Sequence, residues 1–360
     1  MANFNYKKHF PWSFVAAIMI FFLTQGTLAK LPAFWQTFYK YSEPIMGRMF
    51  RLEAKLYFMP DKKSADKRVI ILGGSTVAQG YDTKYLNTEF LAKGVRFYTI
   101  DIPFGNPVQL FLLKDRIVKE KPDVVILMPD VGGFYISEHG LFSLGRFFPY
   151  TVTWDLIFDP DIVPYLIKHL GVKEVFRERA VFLDGIVNKV VFPRRHRFVL
   201  TGILEKMVNA ALTGKKPDFQ EYYFTTGCSP DFYEKTEKRF RSENKRSFEQ
   251  SKLTPLCKEL FVELVLYFQR NNIKVIVVDS PMNQEINSLY DNKLNTLYND
   301  FLLEQANQLD LVYVSLDELP SFDKDNDYID YDHLNAQGRE KMSKFLQQYI
   351  ESDFENFFKY

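Results

Sequence analysis

Of the chain's five histidines (His9, His139, His169, His196 and His333), only His333 stands beside aspartates at an expected turn before a helix, in Asp330-Tyr331-Asp332-His333-Leu334-Asn335. Far upstream, Ser75 ends the run Arg68-Val69-Ile70-Ile71-Leu72-Gly73-Gly74-Ser75. A serine hydroxyl is a weak nucleophile until a base takes its proton, and an imidazole held by a carboxylate is such a base. Asp330 lies three residues before His333, which lets a carboxylate reach the second ring nitrogen, fix the tautomer and stabilise the imidazolium. Ser75, His333 and Asp330 therefore read as nucleophile, base and orienting acid for acyl transfer. Each also has a simpler reading. Ser75 is a natural helix N-cap after two glycines, and Asp332 or Asn335 is a natural cap for the last helix, with His333 on an ordinary loop.

What joins the halves is the set of elements that must carry them. Val69 to Leu72 read as a strand buried on both faces, as in parallel sheets, and Ser75 falls where that strand becomes a helix. Thr83 to Lys93 reads as a helix and Val95 to Ile102 as a second strand. Pro107 opens a helix expected to run to about Glu120, and a third strand spans Pro122 to Met128. The alternation returns at Thr254-Pro255, with threonine as cap and proline first in a helix ending near Asn271. Ile273 to Val278 makes a fourth strand, Gln284 to Gln308 a long helix, Leu311 to Leu316 a fifth strand, and Ala336 to Glu351 a closing helix. Strands alternating with helices at this spacing give an α/β, doubly wound, flavodoxin-like sandwich around a five-stranded parallel sheet. Ligands in such sheets bind at the carboxyl edge, and Ser75 and His333 lie in its first and last loops.

Outside this frame the chain changes character. Residues 134–251 show no βαβ rhythm, only aromatic-rich amphipathic pieces, and read as a mostly helical insertion capping the sheet. The basic run Phe192 to Arg197 is a solvated loop or a contact for anionic head groups or an acidic polymer. At the N-terminus, Lys7 and Lys8 precede Phe10 to Ala29, which carries no charge until Lys30. At ~1.5 Å rise per residue it just crosses a ~30 Å hydrocarbon core. It reads as a transmembrane anchor with the rest of the chain outside the cytoplasm, and a cleaved signal peptide ending near Ala29 is the rival. The plan is then residues 1–30 as cytoplasmic tip and anchor, 31–66 as juxtamembrane link, 67–133 with 252–352 as the α/β domain, and 134–251 as cap.

The net charge of +1 over 360 residues gives no electrostatic case for nucleic acid. Aromatics at 16% suit a large core or a surface near lipid. Cys228 and Cys257 are the only cysteines, free to pair or to remain thiols, and no zinc spacing occurs. Asp323 to Asp327 begins like a calcium loop, but Tyr328 and Leu334 stand where glycine and glutamate are needed. Gly73-Gly74-Ser75-Thr76 lacks the lysine of a phosphate-binding loop. No cofactor or metal is expected.

Two blocks resemble the SGNH hydrolases. Gly73-Gly74-Ser75-Thr76 resembles their Gly-Asp-Ser block with glycine in place of aspartate, and Asp330-x-x-His333 with Leu334, Asn335 and Gly338 resembles their Asp-x-x-His block. The resemblance covers about residues 67–130 and 254–350 and implies an SGNH fold, a catalytic triad of Ser75, Asp330 and His333, and an oxyanion hole from Ser75 and Gly105, joined by Asn106. The family's Gly-x-Asn-Asp block is here Met128-Pro129-Asp130-Val131-Gly132, which lacks the amide donor and offers a carboxylate that would repel an oxyanion. With the anchor and insertion, the chain looks most like the membrane-anchored branch. That branch includes the teichoic acid D-alanyl transfer protein and alginate O-acetylation proteins, which work beside a membrane-bound O-acyltransferase. The expected activity is O-acyl ester hydrolysis or transfer on a cell-envelope polymer or glycan. The other reading is a catalytically silent envelope protein that binds a polymer or scaffolds a partner.

Overall fold

The computed structural model describes residues 59–64, 66–102, 105–135, 160–173, 253–282, 292–329 and 333–359. The expected anchor, most of the 134–251 insertion, Cys228 and Asp330 lie outside the described residues. Among the described residues no helix is long and apolar enough to cross a membrane.

Five parallel strands form one sheet: β1 (Lys67–Gly73), β2 (Val95–Asp101), β3 (Val124–Met128), β4 (Lys274–Val278) and β5 (Val312–Val314), in the spatial order β2-β1-β3-β4-β5. This is the flavodoxin-like order, whose connections reverse direction between β1 and β3. The β-branched runs explain the strands, because each lies between two helical layers and must be apolar on both faces. In β1, Val69 and Ile71 pack to one side and Ile70 and Leu72 to the other, all four fully buried.

One layer holds α1 (Ser75–Gly80), α2 (Thr83–Phe90), α9 (Ala336–Ser352) and α10 (Phe354–Phe357). Leu86, Phe90, Met342, Leu346 and Ile350 bury its inner face against Val69, Ile71, Val124 and Ile126. The opposite layer holds α3 (Pro107–Phe111), α4 (Lys114–Lys119), α5 (Val131–Tyr135), α6 (Val163–Leu170), α7 (Pro255–Arg270) and α8 (Asn292–Gln308). There Phe134, Phe261, Tyr298 and Phe301 meet edge-on or tilted, at 5.5–6.0 Å between ring centres. Cys257 is a free thiol buried in this layer, and burial pushes its pKa up to about 12.

Several expected elements differ in detail. The helix expected over 107–120 is broken at Leu112–Leu113, where the Leu113 amide turns back to the Leu110 carbonyl at 3.0 Å. The break buries Lys114, whose ammonium reaches Asp161 at 3.0 Å and lies over the Phe111 ring. Thr254 makes no side-chain cap; instead its amide donates to the Phe134 carbonyl, and Pro255 starts the helix. β5 is only three residues long and passes into a 3-10 turn, Leu316–Glu318, closed by Ser315 and Glu318.

The chain enters this domain at the amino edge of the sheet. Arg68 is almost fully buried there and donates to the carbonyl oxygens of Pro60 and Glu120. Lys62 adds an ion pair to Asp123 at 2.7 Å, and Asp123 also accepts the Arg68 amide at 2.7 Å.

Candidate active site

The first strand delivers Ser75 to the carboxyl edge. Gly74 takes the N-cap position in extended conformation, so Ser75 becomes the first helical residue and no side chain caps the helix. The simpler reading of Ser75 as a capping serine therefore does not hold, and its hydroxyl has another use. His333 Nε2 lies 2.7 Å from Ser75 Oγ, across 258 residues of sequence. As first helical residue, Ser75 also presents an amide with no acceptor inside the helix.

The loop carrying His333 is held on both sides. A bridge pairs Tyr328 with Leu334, the Ile329 amide donates to the His333 carbonyl at 2.7 Å, and the Asn335 amide donates to the Asp327 carbonyl at 2.8 Å. Asn335 caps α9, accepting from Gln337 at 2.9 Å and Gly338 at 3.1 Å. Capping by Asn335 and placement of His333 at Ser75 thus coexist. Asp327 is fully buried and receives Lys341 and the Asp323 amide, each at 2.6 Å. A methyl group on Gly338 would stand 2.3 Å from the Asp327 carbonyl oxygen, so only glycine lets α9 approach the loop this closely. Asp330, the expected orienting acid, lies outside the described residues.

The expected oxyanion donors occupy distinct roles. The Gly105 amide donates to the Ile102 carbonyl at 2.9 Å within a turn. A Cβ on Gly105 would meet Gly73 O at 2.7 Å and Gly74 Cα at 2.9 Å, so glycine lets this turn pack on the strand end before Ser75. Asn106 caps α3 reciprocally with Gln109, its Oδ1 accepting at 3.0 Å and its amide donating to Gln109 Oε1 at 3.1 Å. Its Nδ2 is buried without a hydrogen-bond partner among the described residues.

Asp130 follows β3, beside β1 at the switch point of the sheet. Its Oδ1 accepts the Gly133 amide at 2.9 Å. The residue keeps some exposure, yet protein rings the carboxyl group, and this burial raises its pKa. The Gly133 and Gly132 amides and the charge of nearby His333 oppose the rise without cancelling it. A cavity opens from Asp130 towards the end of β4, lined also by Asp279, Ser280, Tyr298 and Asn299. Asp279 accepts from Tyr313 at 2.7 Å, from the Leu316 amide at 3.0 Å and from Tyr298 at 3.3 Å. Burial nonetheless pushes its pKa up to about 6. Sequence reasoning assigned no role to Asp279 and Ser280, although an Asp-Ser pair directly after a buried strand was the signal.

Among the described residues no cluster of three or more His, Cys, Asp or Glu could hold a metal ion. The stretch that begins like a calcium loop satisfies itself, with Asp323 Oδ1 accepting the Asp325 and Asn326 amides at 2.9 Å.

No family model matches the chain, and no curated protein matches it. Among solved structures it is similar to a GDSL-like lipase from Bacteroides thetaiotaomicron VPI-5482, at 10% identity and TM-score 0.39, covering 84% of this chain and 97% of that one. It is also similar to an acetyl xylan esterase, AlAXEase, at 11% identity and TM-score 0.36, covering 78% and 99%. A lipase/acylhydrolase from Enterococcus faecalis is similar at 9% identity and TM-score 0.39, covering 79% and 96%. Likeness this distant carries none of the functional reading, which rests on the site.

Proposed function

We propose that this chain is a serine-dependent O-acyl esterase or O-acyltransferase of SGNH type, anchored in a membrane and acting outside the cytoplasm on a cell-envelope polymer or glycan. The observation that carries the chemistry is the 2.7 Å approach of His333 Nε2 to Ser75 Oγ at the switch point of a parallel sheet. His333 takes the hydroxyl proton as Ser75 Oγ attacks the acyl carbon, and the Ser75 amide faces the developing oxyanion. The tetrahedral intermediate expels an alcohol, which takes the proton back from His333 and leaves an acyl-Ser75 ester. Water or an acceptor hydroxyl then repeats the cycle in reverse. Asp330 is assigned to the second imidazole nitrogen, where it would hold the productive tautomer.

The location and partner rest on the sequence: the uncharged segment Phe10 to Ala29 behind Lys7 and Lys8, and the aromatic-rich insertion. A single span beside a membrane-bound O-acyltransferase would raise the effective concentration of the two partners without any new contact. The decisive experiment is fluorophosphonate labelling of the purified full-length protein, with Ser75→Ala as control. Labelling confined to Ser75 is expected. Equal labelling of wild type and Ser75→Ala would remove the enzyme reading and leave a polymer-binding or scaffold role. In cells, replacing residues 1–30 by a cleavable export signal is expected to abolish polymer acylation while Ser75 labelling persists. Full acylation by the freed domain would sink the membrane-coupled part alone.

A further inference from the structure

A pocket built around an acyl serine needs donors for the oxyanion, and among the described residues this one offers the Ser75 amide and the unpartnered Nδ2 of Asn106. The Gly105 amide is engaged with Ile102, and no asparagine follows β3. Removing one such donor typically costs roughly 10²–10³ in turnover. Asp130 turns its two carboxyl oxygens to different partners. Oδ1 is held by the Gly133 amide at 2.9 Å, while Oδ2 faces Gly74, the residue before the nucleophile. A carbon placed at the missing Cβ of Gly74 would lie 3.4 Å from Asp130 Oδ2, 3.5 Å from the Gly105 nitrogen and 3.8 Å from Thr76 Oγ1. The absent side chain thus leaves a small hollow beside Ser75, ringed by polar atoms, with Oδ2 on its wall.

The geometry points to Asp130 as a catalytic residue that works as a neutral carboxylic acid, donating its Oδ2–H to the oxyanion beside Ser75. The inference deepens the proposed acyl-transfer reading and rests on it. The Oδ2–H proton shifts towards the acyl oxygen as charge grows there and returns to Asp130 as the carbonyl re-forms. Among the described residues, the titratable groups facing Asp130 are His333 from the loop before α9, Tyr298 from α8 and Asp279 at the end of β4. Asp279 shares the cavity, and its own pKa is raised by burial. His333 pulls the other way, and only when it is protonated, which is the state in which it cannot act as base. Burial raises the Asp130 pKa from its ordinary value, which favours the protonated form. Chemically the site therefore gains its last donor by being protonated, so activity should fall as pH rises through the Asp130 midpoint.

Two measurements on the full-length protein test this. The first is the carboxyl-carbon resonance of Asp130 in ¹³C-aspartate protein, assigned with Asp130→Asn and followed against pH. A carboxyl still protonated where acyl release is fastest is expected; one already ionised there overturns the proposal without reference to any substrate. The second is the pH profile of ester cleavage for wild type, Asp130→Asn and Asp130→Ala. Asn donates at every pH, so it should exceed wild type by roughly tenfold one pH unit beyond the wild-type falling midpoint. Ala should lose roughly 10²–10³ on the acid side. If Asn is as slow as Ala, the ionised carboxylate is what the site needs, and the proposal fails. Unlabelled wild-type Ser75 would sink the acyl-transfer reading and this one together; labelled Ser75 with an ionised Asp130 sinks this one alone.

Discussion

At the scale of single residues, the 2.7 Å contact between Ser75 and His333 sets the sharpest expectations. Ser75→Ala or His333→Ala should each lower ester cleavage by roughly 10⁴-fold or more, and combining them should add little, because they act as one unit. Single-turnover kinetics on both single variants and the pair would check this, and additive losses would show that the two residues do not work together. The two residues brought into contact were legible in sequence because each ended an element pattern: a strand breaking into glycines, and an Asp-x-x-His before a helix. The burial of Asp130 was not. Its sequence position suggested a repelling charge, and only the adjacency of β1 and β3 reveals the burial that raises its pKa. Nor did spacing reveal that the Gly105 amide closes a turn on Ile102, since that bond depends on residues whose backbone path the sequence leaves free.

Elements decide whether those residues meet. Gly338 lets the first turn of α9 lie against Asp327, whose backbone closes the His333 loop. Gly338→Ala must push that carbonyl away, and overpacking of this kind costs about 1–3 kcal/mol. Urea unfolding should show the loss, and phosphonylation of Ser75 should slow by more than the folded fraction explains. If labelling falls only in proportion to folding, the loop does not depend on this contact. The helices and strands around the loop were readable from periodicity: four of the five strands lie within the expected stretches, and β1 runs from Lys67 to Gly73 around the expected Val69 to Leu72. The expected helix over 107–120 was not read correctly. Leu110 to Leu113 are apolar without interruption, so nothing in the pattern marks the turn at Leu112–Leu113 that seats Lys114 beside Asp161.

For the molecule as a whole, Asp279 ties stability to pH. Its folded pKa of about 6 lies above the unfolded value near 3.9, so the folded state holds the proton more tightly. The stability this supplies is complete below about pH 4 and is lost as pH rises through about 6, roughly 2–3 kcal/mol in all. Asp279→Asn should remove that slope from the unfolding free energy measured between pH 4 and 7, and an unchanged slope would show that other groups carry it. The flavodoxin-like strand order was expected from the alternation of strands and helices, and it is the order observed. The placement of Asp279 beside Asp130 required the pairing of β3 with β4.

The fastening of residues 59–64 to Arg68 and Asp123 has a directional consequence. The polypeptide joins the domain at one pole and its serine opens at the other, separated by the length of β1, about 23 Å at ~3.3 Å per residue. Whatever grips the chain at residues 59–64 therefore holds the domain by its heel, at the end of β1 away from Ser75. Under the proposed acyl-transfer reading, an acyl donor released at the heel would have to travel around the flank of the domain before it reached Ser75.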